Sequence, residues 1–410
     1  MDVVNKRCCG LDVHKQTVVA CVIVPGKRHL PHKEVRTFGT MTADLLQLAD
    51  WLTDCEVTHV AMESTGVYWK GIWNLLEGQV ELLLVNAQHV KQVPGRKTDV
   101  QDCEWLADLL RHGLLRASFV PDRPQRELRE LTRYRTSLIR ERASEVNRIQ
   151  KTLEGANIKL GDVATTVLGA SGRQILTAMV AGTADPTILV NFARGKLRAK
   201  IPQLERALVG QFEAHQCFLL ARQLAHLDSL DELLDQLDAE VEERLRPFEQ
   251  ALERLDTIPG VGPRTAEVLV AEIGLDMTRF PSAAHLASWA GMCPGNNESA
   301  GKRKSGKTRK GDRWLRAALI EAAHASSRAR HTYLAAQYHR LITRRGKKKA
   351  AVAIGHSILT MAYHVLADQV DYAELGPYYF DQRDQQHVAR RLVHRLETMG
   401  YAVQLQPSAA

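Results

Sequence analysis

Across 410 residues the sequence contains no uninterrupted apolar run approaching the ~20 residues that a membrane-spanning helix needs. The start, Met1 to Arg7, is charged and has no apolar signal core behind it, so a cytosolic protein is expected. The seven cysteines (Cys8, Cys9, Cys21, Cys55, Cys103, Cys217 and Cys293) form no CxxC pair and no zinc-like spacing with histidine. Reduced, mostly buried thiols are expected, and no zinc site. Repeats of solenoid period are missing, as is any low-complexity segment beyond short basic runs, which excludes stacked-repeat architectures.

What is present is ample apolar material, 45% of residues, enough for two or three domains with real cores. The net charge of +8 comes from 55 Lys and Arg against 47 Asp and Glu, with a pI near 9.1. The excess is modest overall but concentrated in runs, which favours a polyanionic partner, nucleic acid ahead of anionic lipid.

Cys8 to Val13, Thr17 to Val24 and Glu34 to Phe38 read as three short strands in an antiparallel meander. A helix over Leu45 to Leu52, a strand over Val57 to Glu63, a helix over Tyr68 to Leu76, a strand over Val80 to Val85 and a helix over Asp99 to Leu110 follow. A meander followed by alternating strands and helices predicts an α/β domain with a mixed sheet, over about residues 1–121. Asp12 then ends the first strand and Glu63 the fourth, at the edge where open α/β sheets place their ligands. Asp99 and Asp102, three apart at a helix start, share one face. As helix caps those two would be structural only. Together, four carboxylates would repel unless cations neutralise them, and hard oxygen ligands suit Mg²⁺ or Mn²⁺.

These residues carry a resemblance. Gly10-Leu11-Asp12-Val13-His14-Lys15, Met62-Glu63-Ser64-Thr65-Gly66-Val67-Tyr68-Trp69 and Lys97-Thr98-Asp99-Val100-Gln101-Asp102-Cys103 resemble the three acidic motifs of the DEDD-type insertion-sequence transposases, a family that includes the Piv-type DNA invertases. The resemblance implies a ribonuclease H-like, RuvC-like N-terminal domain with Asp12, Glu63, Asp99 and Asp102 as metal-binding catalytic acids. Sugar-kinase and actin-like phosphotransferases also begin with a strand ending in an acid, but their phosphate loops need glycine directly after it, where this chain has Val13-His14-Lys15.

From Pro121 the sequence turns helical. Leu128, Leu131, Leu138, Val146, Ile149 and Leu153 mark one long helix whose other faces carry Arg126, Arg129, Arg133, Arg135, Arg140, Arg142 and Arg148 among acids. This is a salt-bridged solvated helix by default, with a nucleic-acid-facing stripe as the alternative. Residues 155–200, broken by glycines and Pro186, read as short helices and loops. A second stripe, Leu220, Leu224, Leu227, Leu230, Leu234, Leu237, Val241, Leu245, Phe248, Leu252 and Leu255, predicts a coiled-coil seam that Pro247 interrupts, with self-association as a hypothesis. The helical middle is assigned to residues 122–255.

Leu255 to Ala266, with Gly260, Gly262 and Arg264, has the form of a helix-hairpin-helix whose backbone would hold a phosphate without reading bases. A glycine-rich hairpin used purely for packing is the alternative. Beyond it, Asn297-Glu298-Ser299-Ala300-Gly301-Lys302 opens a basic loop with Arg303, Lys304, Lys307, Arg309, Lys310 and Arg313. A serine on a small-residue turn beside positive charge suits attack on a phosphodiester. Arg344 to Lys349 forms a further basic run ahead of an apolar helix over Val352 to Leu366, expected to meet backbone phosphate or solvent. Residues 256–370 form the third predicted domain, and residues 371–410 a small tail of unassigned role.

The segment from Ile258 to Ala325 resembles the C-terminal transposase domain of the same family, whose motif serine links covalently to DNA; the matching position is Ser299. The chain departs from that pattern at Glu298 and at Ala300, where glycine is common, and Ser305 is the fallback nucleophile. The resemblance further implies donor and target DNA as partners, a structured bridge RNA that pairs with both, and a homo-oligomer, dimer or tetramer. A metal-dependent junction nuclease using water, and a binding module with a degenerate nuclease fold, stand beside this expectation.

Overall fold

A computed structural model describes residues 2–26, 30–63, 66–86, 102–295, 297–299 and 301–406. The chain divides into two compact units, Met1–Arg123 and Pro124–Ala410.

In the first unit, alternation of apolar side chains over short segments produces strands β1 (Cys8–Val13), β2 (Thr17–Pro25), β3 (Pro31–Gly39), β4 (His59–Glu63) and β5 (Glu81–Val85). They form one sheet of order β3-β2-β1-β4-β5. The first three strands are antiparallel neighbours, while β4 runs parallel to β1 and β5 parallel to β4. The predicted meander and mixed sheet are therefore present, in an arrangement compatible with a ribonuclease H-like domain.

Because side chains alternate across a strand, β1 feeds two cores. Cys9, Leu11 and Val13 face helices α1 (Thr42–Asp54) and α2 (Trp69–Leu76), where Leu48, Trp51, Leu52, Ile72 and Leu76 are buried. Cys8 faces the opposite core with Cys21, Ala61, Cys103, Leu106 and Ala107, under helix α3 (Asp102–Arg111). At the sheet edge β3 is mostly exposed and carries Lys33, Glu34 and Arg36, charges that discourage further strand pairing.

All seven cysteines are free thiols, and Cys8, Cys9, Cys21 and Cys103 are buried. Burial pushes Cys8 from the ordinary 9.0 to about 11, Cys21 to about 12 and Cys103 to about 11. Folding thus favours the protonated thiol, so this contribution to stability is intact below pH 9 and is lost as pH climbs toward 11 to 12. Iodoacetamide at about pH 8 is expected to leave these four unmodified in the native protein and to label all of them in denaturant, as read by peptide mass spectrometry.

The second unit is helical apart from a two-stranded hairpin. Helices α4 (Arg123–Gly155), α5 (Ala170–Val180), α6 (Ile201–Ala207) and α7 (Ala214–Leu245) come first. Two of them, α4 and α7, run antiparallel along one another, as a ladder of pairs demonstrates: Arg135 with Asp238, Arg142 with Asp231, Glu145 with His226 and Thr152 with Gln223. Of the α4 arginines, Arg135 and Arg142 pair with acids of α7, Arg148 with Glu145 of α4 itself, and Arg129 and Arg133 with Glu272, in agreement with the salt-bridged expectation.

Along α7 the stripe Leu220, Leu224, Leu227, Leu230, Leu234, Val241 and Leu245 is buried inside the chain. Its lower part meets Leu138 of α4, and its upper part joins Ile149, Leu153, Ile175, Leu176 and Leu204 in a cluster that includes the short helices after residue 155. The seam predicted for self-association is thus filled from within, because the small helices supply apolar partners that the preceding helix alone lacks. Pro247 ends α7, as expected, in a short 3-10 turn over Arg246–Phe248.

Next come α8 (Glu249–Asp256), α9 (Pro263–Ile273), α10 (Ala283–Trp289), strands β6 (Asn297–Ser299) and β7 (Lys302–Ser305), α11 (Arg313–Ser326), α12 (Tyr333–Arg345) and α13 (Lys347–Asp368). One sequence expectation is corrected here: α13 is long and apolar enough, by length and composition, to cross a membrane. The error came from counting uninterrupted apolar residues, whereas small residues and isolated polar ones such as Ser357 and Thr360 keep a core helix apolar on average. Ala350, Ala351, Ile354, Ile358, Leu359, Ala362 and Val365 are buried, so α13 is the packed central helix of this part.

The described part of the tail packs back on the helices. Phe380 stacks on Tyr333, Arg340 pairs with Asp381 at 2.9 Å, and residues Gln385–Thr398 form helix α14.

Candidate functional site

Gly10 sets the geometry of the acidic site. A β-carbon there would lie 2.3 Å from the Cys103 carbonyl oxygen and 2.5 Å from the Ala107 nitrogen, so only glycine lets α3 press its first turns onto β1. Asp12, two residues on, shares the face of Gly10 and therefore projects on the side where α3 begins with Asp102. Its negative charge is one of the influences, after burial, that raise the Cys103 thiol.

On the neighbouring parallel strand, Leu11 is in register with Met62, which puts Asp12 and Glu63 one residue beyond a registered pair, on strands ~4.8 Å apart. Ala61 packs under α3, so Glu63, two residues later, projects on the same face as Asp12. Asp12 and Glu63 thus come to one edge and one face of the sheet, on the side where α3 begins with Asp102. Among the described residues no three His, Cys, Asp or Glu side chains gather closely enough to hold a metal ion, and the fourth acid, Asp99, lies outside the described residues. Oxygen-only donors are the type that hard divalent cations take. Asp12 is mostly buried and its Oδ2 stands 3.1 Å from His14 Nε2, a contact the sequence did not single out.

In the second unit, Ser299 is the last residue of β6, at the end of a hairpin in which it pairs with Lys302, while Asn297 pairs with Ser305. The hairpin is rooted by a bridge between Pro294 and Thr308 and by Arg316, whose Nη1 donates to Gly291 O and to Thr308 Oγ1, both at 2.9 Å. Lys302, Lys307, Arg309, Lys310 and Arg313 are exposed, and among the described residues none of them pairs with a carboxylate. The side chains of Ser299, Arg303 and Lys304 lie outside what is described.

The start of α11 is fixed by a network the sequence did not reveal. Asp312 caps the helix by accepting from Trp314 N and Leu315 N at 2.8 and 2.9 Å. Arg133 of α4 donates to Asp312 Oδ2 at 2.9 Å and to both carboxylate oxygens of the fully buried Glu272 at 2.7 Å. Arg129 adds donors to the Ala271 and Glu272 carbonyls. A glutamate inside the apolar stretch Val268 to Ile273 was the only available sign, since such an acid needs a partner.

Of the helix-hairpin-helix residues, Gly260 has φ of 91°, and a β-carbon there would stand 2.4 Å from the Ala322 carbonyl of α11. This close approach makes Gly260 a packing glycine. Gly262 faces open space ahead of α9, and Arg264 is held by Asp238 of α7.

Two family models match the chain over the segments that carry these residues. The model of DEDD-type IS110 transposases, described as "Transposase", matches residues 9–158, and the model described as "Transposase IS116/IS110/IS902 family" matches residues 252–340. The chain is 30% identical over 269 residues to an uncharacterised 44.8 kDa protein of insertion element IS116 from Streptomyces clavuligerus, covering 57% of this chain and 65% of that relative. It is 28% identical to the putative transposase y4pF/y4sB of Sinorhizobium fredii over 77% of this chain and 75% of the relative. It is also 35% identical to the pilin gene-inverting protein of Moraxella bovis over 27% and 35%, respectively. The two family models meet the acidic edge of the sheet and the serine hairpin separately, and on that basis the chain belongs to the IS116/IS110/IS902 family of transposases.

Proposed function

We propose that this chain is the recombinase of an insertion sequence and that it cleaves and rejoins DNA through a covalent serine ester. The observation that supports this most is the placement of Asp12 and Glu63 on one face of the sheet edge where α3 begins with Asp102. The pilin gene-inverting relative, by its printed name a DNA-rearranging protein, points the same way.

In the proposed reaction Ser299 Oγ forms a bond to phosphorus as the bond from phosphorus to one sugar oxygen breaks. The serine proton passes to water or a basic side chain, and the departing sugar oxygen takes up a proton. Attack by a second strand's sugar hydroxyl reverses the exchange, so the ester keeps the bond energy and no net hydrolysis occurs. Lys302, Lys307, Arg309, Lys310 and Arg313 hold the phosphates in register. The family's acids imply a divalent cation, Mg²⁺ or Mn²⁺, and Asp12, Glu63, Asp99 and Asp102 are the residues that would hold it; bound, it neutralises charge developing on the phosphate and the leaving oxygen. Site choice through a bridge RNA, a cytoplasmic location and a homo-oligomeric complex complete the proposal.

The test is to purify the chain from its host, sequence the nucleic acid that accompanies it, and incubate the protein with the DNA so identified and Mg²⁺. Denaturing gels are expected to show protein-linked DNA and joined strands. Free ends without linkage would instead support a water-using nuclease, and unchanged strands a binding module. Asp12→Ala and Asp102→Ala are each expected to lower linkage and joining by at least about 10³-fold.

A further inference from the structure

Below the root of the serine hairpin lies a cleft of about 1020 Å³. Its rim carries Lys307, Arg316, Arg345, Lys348 and Lys349, and no carboxylate lines it among the described residues. Two of these lysines, with Lys347, occupy the first turn of α13, where the helix dipole disfavours cations. No acid among the described residues pairs with these exposed lysines, which leaves their charge open to an anion that is not part of the chain.

The inner wall differs. Met292, Val352 and Ala353 give it an apolar surface, and Gln337, His356 and Ser357 add a few polar groups. Gln337 Oε1 is buried with no hydrogen-bond partner, the state of an acceptor awaiting a donor. Burial holds His356 below its ordinary 6.5, so at neutral pH its ring both donates and accepts. Cations outside with an apolar, sparsely polar interior match the two halves of a nucleotide. The volume sits at the upper end of the roughly 300–1,000 Å³ of small-molecule sites, too large for a lone phosphate.

We propose that this cleft receives one or two unstacked nucleotides of a single nucleic-acid strand. Their phosphates lie on Arg345, Lys348 and Lys349, a base lies against Met292 and Val352, and Gln337 and His356 meet the base's polar edge. This rests on the recombinase reading above. It adds that a strand is held unpaired close to the point of attack: Ser299 is five residues of hairpin from Pro294 at the cleft, at most ~17 Å, or roughly five stacked nucleotides.

The experiment measures binding of the full chain to labelled oligothymidine, oligouridine and a DNA duplex of equal length by fluorescence anisotropy. The wild type is expected to hold a single strand at least as tightly as the duplex. Ala353→Trp, which fills the wall, and Gln337→Ala, which removes the amide, are each expected to weaken single-strand binding about tenfold with the duplex nearly unaffected. Lys348→Ala with Lys349→Ala is expected to weaken both and to lower the salt slope. Preference for oligothymidine or oligouridine identifies the strand as DNA or RNA. Unchanged single-strand affinity in both wall variants, or equal loss for the duplex, overturns the cleft proposal alone. Failure to bind any of the three nucleic acids overturns the recombinase reading with it. Ser299→Ala is expected to bind all three normally, so loss of joining in that variant says nothing against the cleft.

Discussion

Replacing Ser299 by alanine is expected to eliminate protein-linked DNA and to lower strand joining by at least about four orders of magnitude, while DNA binding persists. A transesterification that stores the phosphodiester in an enzyme ester has no substitute for its nucleophile, so the loss is far larger than that of any one phosphate contact. The hairpin offers a second serine for comparison. Ser305 sits across from Asn297, and its Oγ accepts from Lys307 N at 3.1 Å, which engages it in local structure. Ser305→Ala is therefore expected to retain covalent linkage. If Ser299→Ala still forms linked DNA and Ser305→Ala does not, the assignment passes to Ser305.

The largest loss of stability is expected from Glu272→Gln, about 3 kcal/mol, measured as a lower denaturant midpoint with an unchanged slope. Glu272 is completely buried, and Arg129 and Arg133 reach it from α4. Burial pushes the Glu272 carboxyl up, and hydrogen bonding from Arg133 pulls the other way. Neutralising the acid removes the charge that most favours the charged form of Arg129, itself mostly buried. Because a third of the Arg133 side chain remains exposed, water rescues part of the loss, which places the figure at the low end for buried pairs. A double variant, Glu272→Gln with Arg133→Met, is expected to lose less than the two single changes combined. Strict additivity would mean that the pair does not act as a unit.

Much of the first unit was legible because its signals are local. Strand alternation placed Asp12 and Glu63 at strand ends, and the sheet order then put them on neighbouring strands. That they share a face with the start of α3 depends on Gly10, whose need for close approach is invisible until the helix is seen against it. In the second unit, the arginines of α4 were visible as a stripe, but their partners on α7 are about a hundred residues away in sequence, as with Arg135 and Asp238. That the apolar stripe of α7 is filled within the chain was hidden for a related reason: Ile175 and Leu176, in a region that read as short helices and loops, and Leu204 just beyond it, close over it. Gln337 and His356 stand singly on helices, where one polar residue in a turn carries no pattern. Only the cleft between helices gives them a common surrounding.

The paired helices α4 and α7 have a metric consequence. At 1.5 Å per residue, the 32 residues of α7 extend about 48 Å. Cross-links recur from Thr152 with Gln223 to Glu127 with Arg244, so bending between those points would have to break several at once. A spacer of this kind has its length written in residue number, and 48 Å is the rise of about fourteen base pairs. Within this unit, the two ends of α7 stand apart by a fixed interval longer than one turn of duplex.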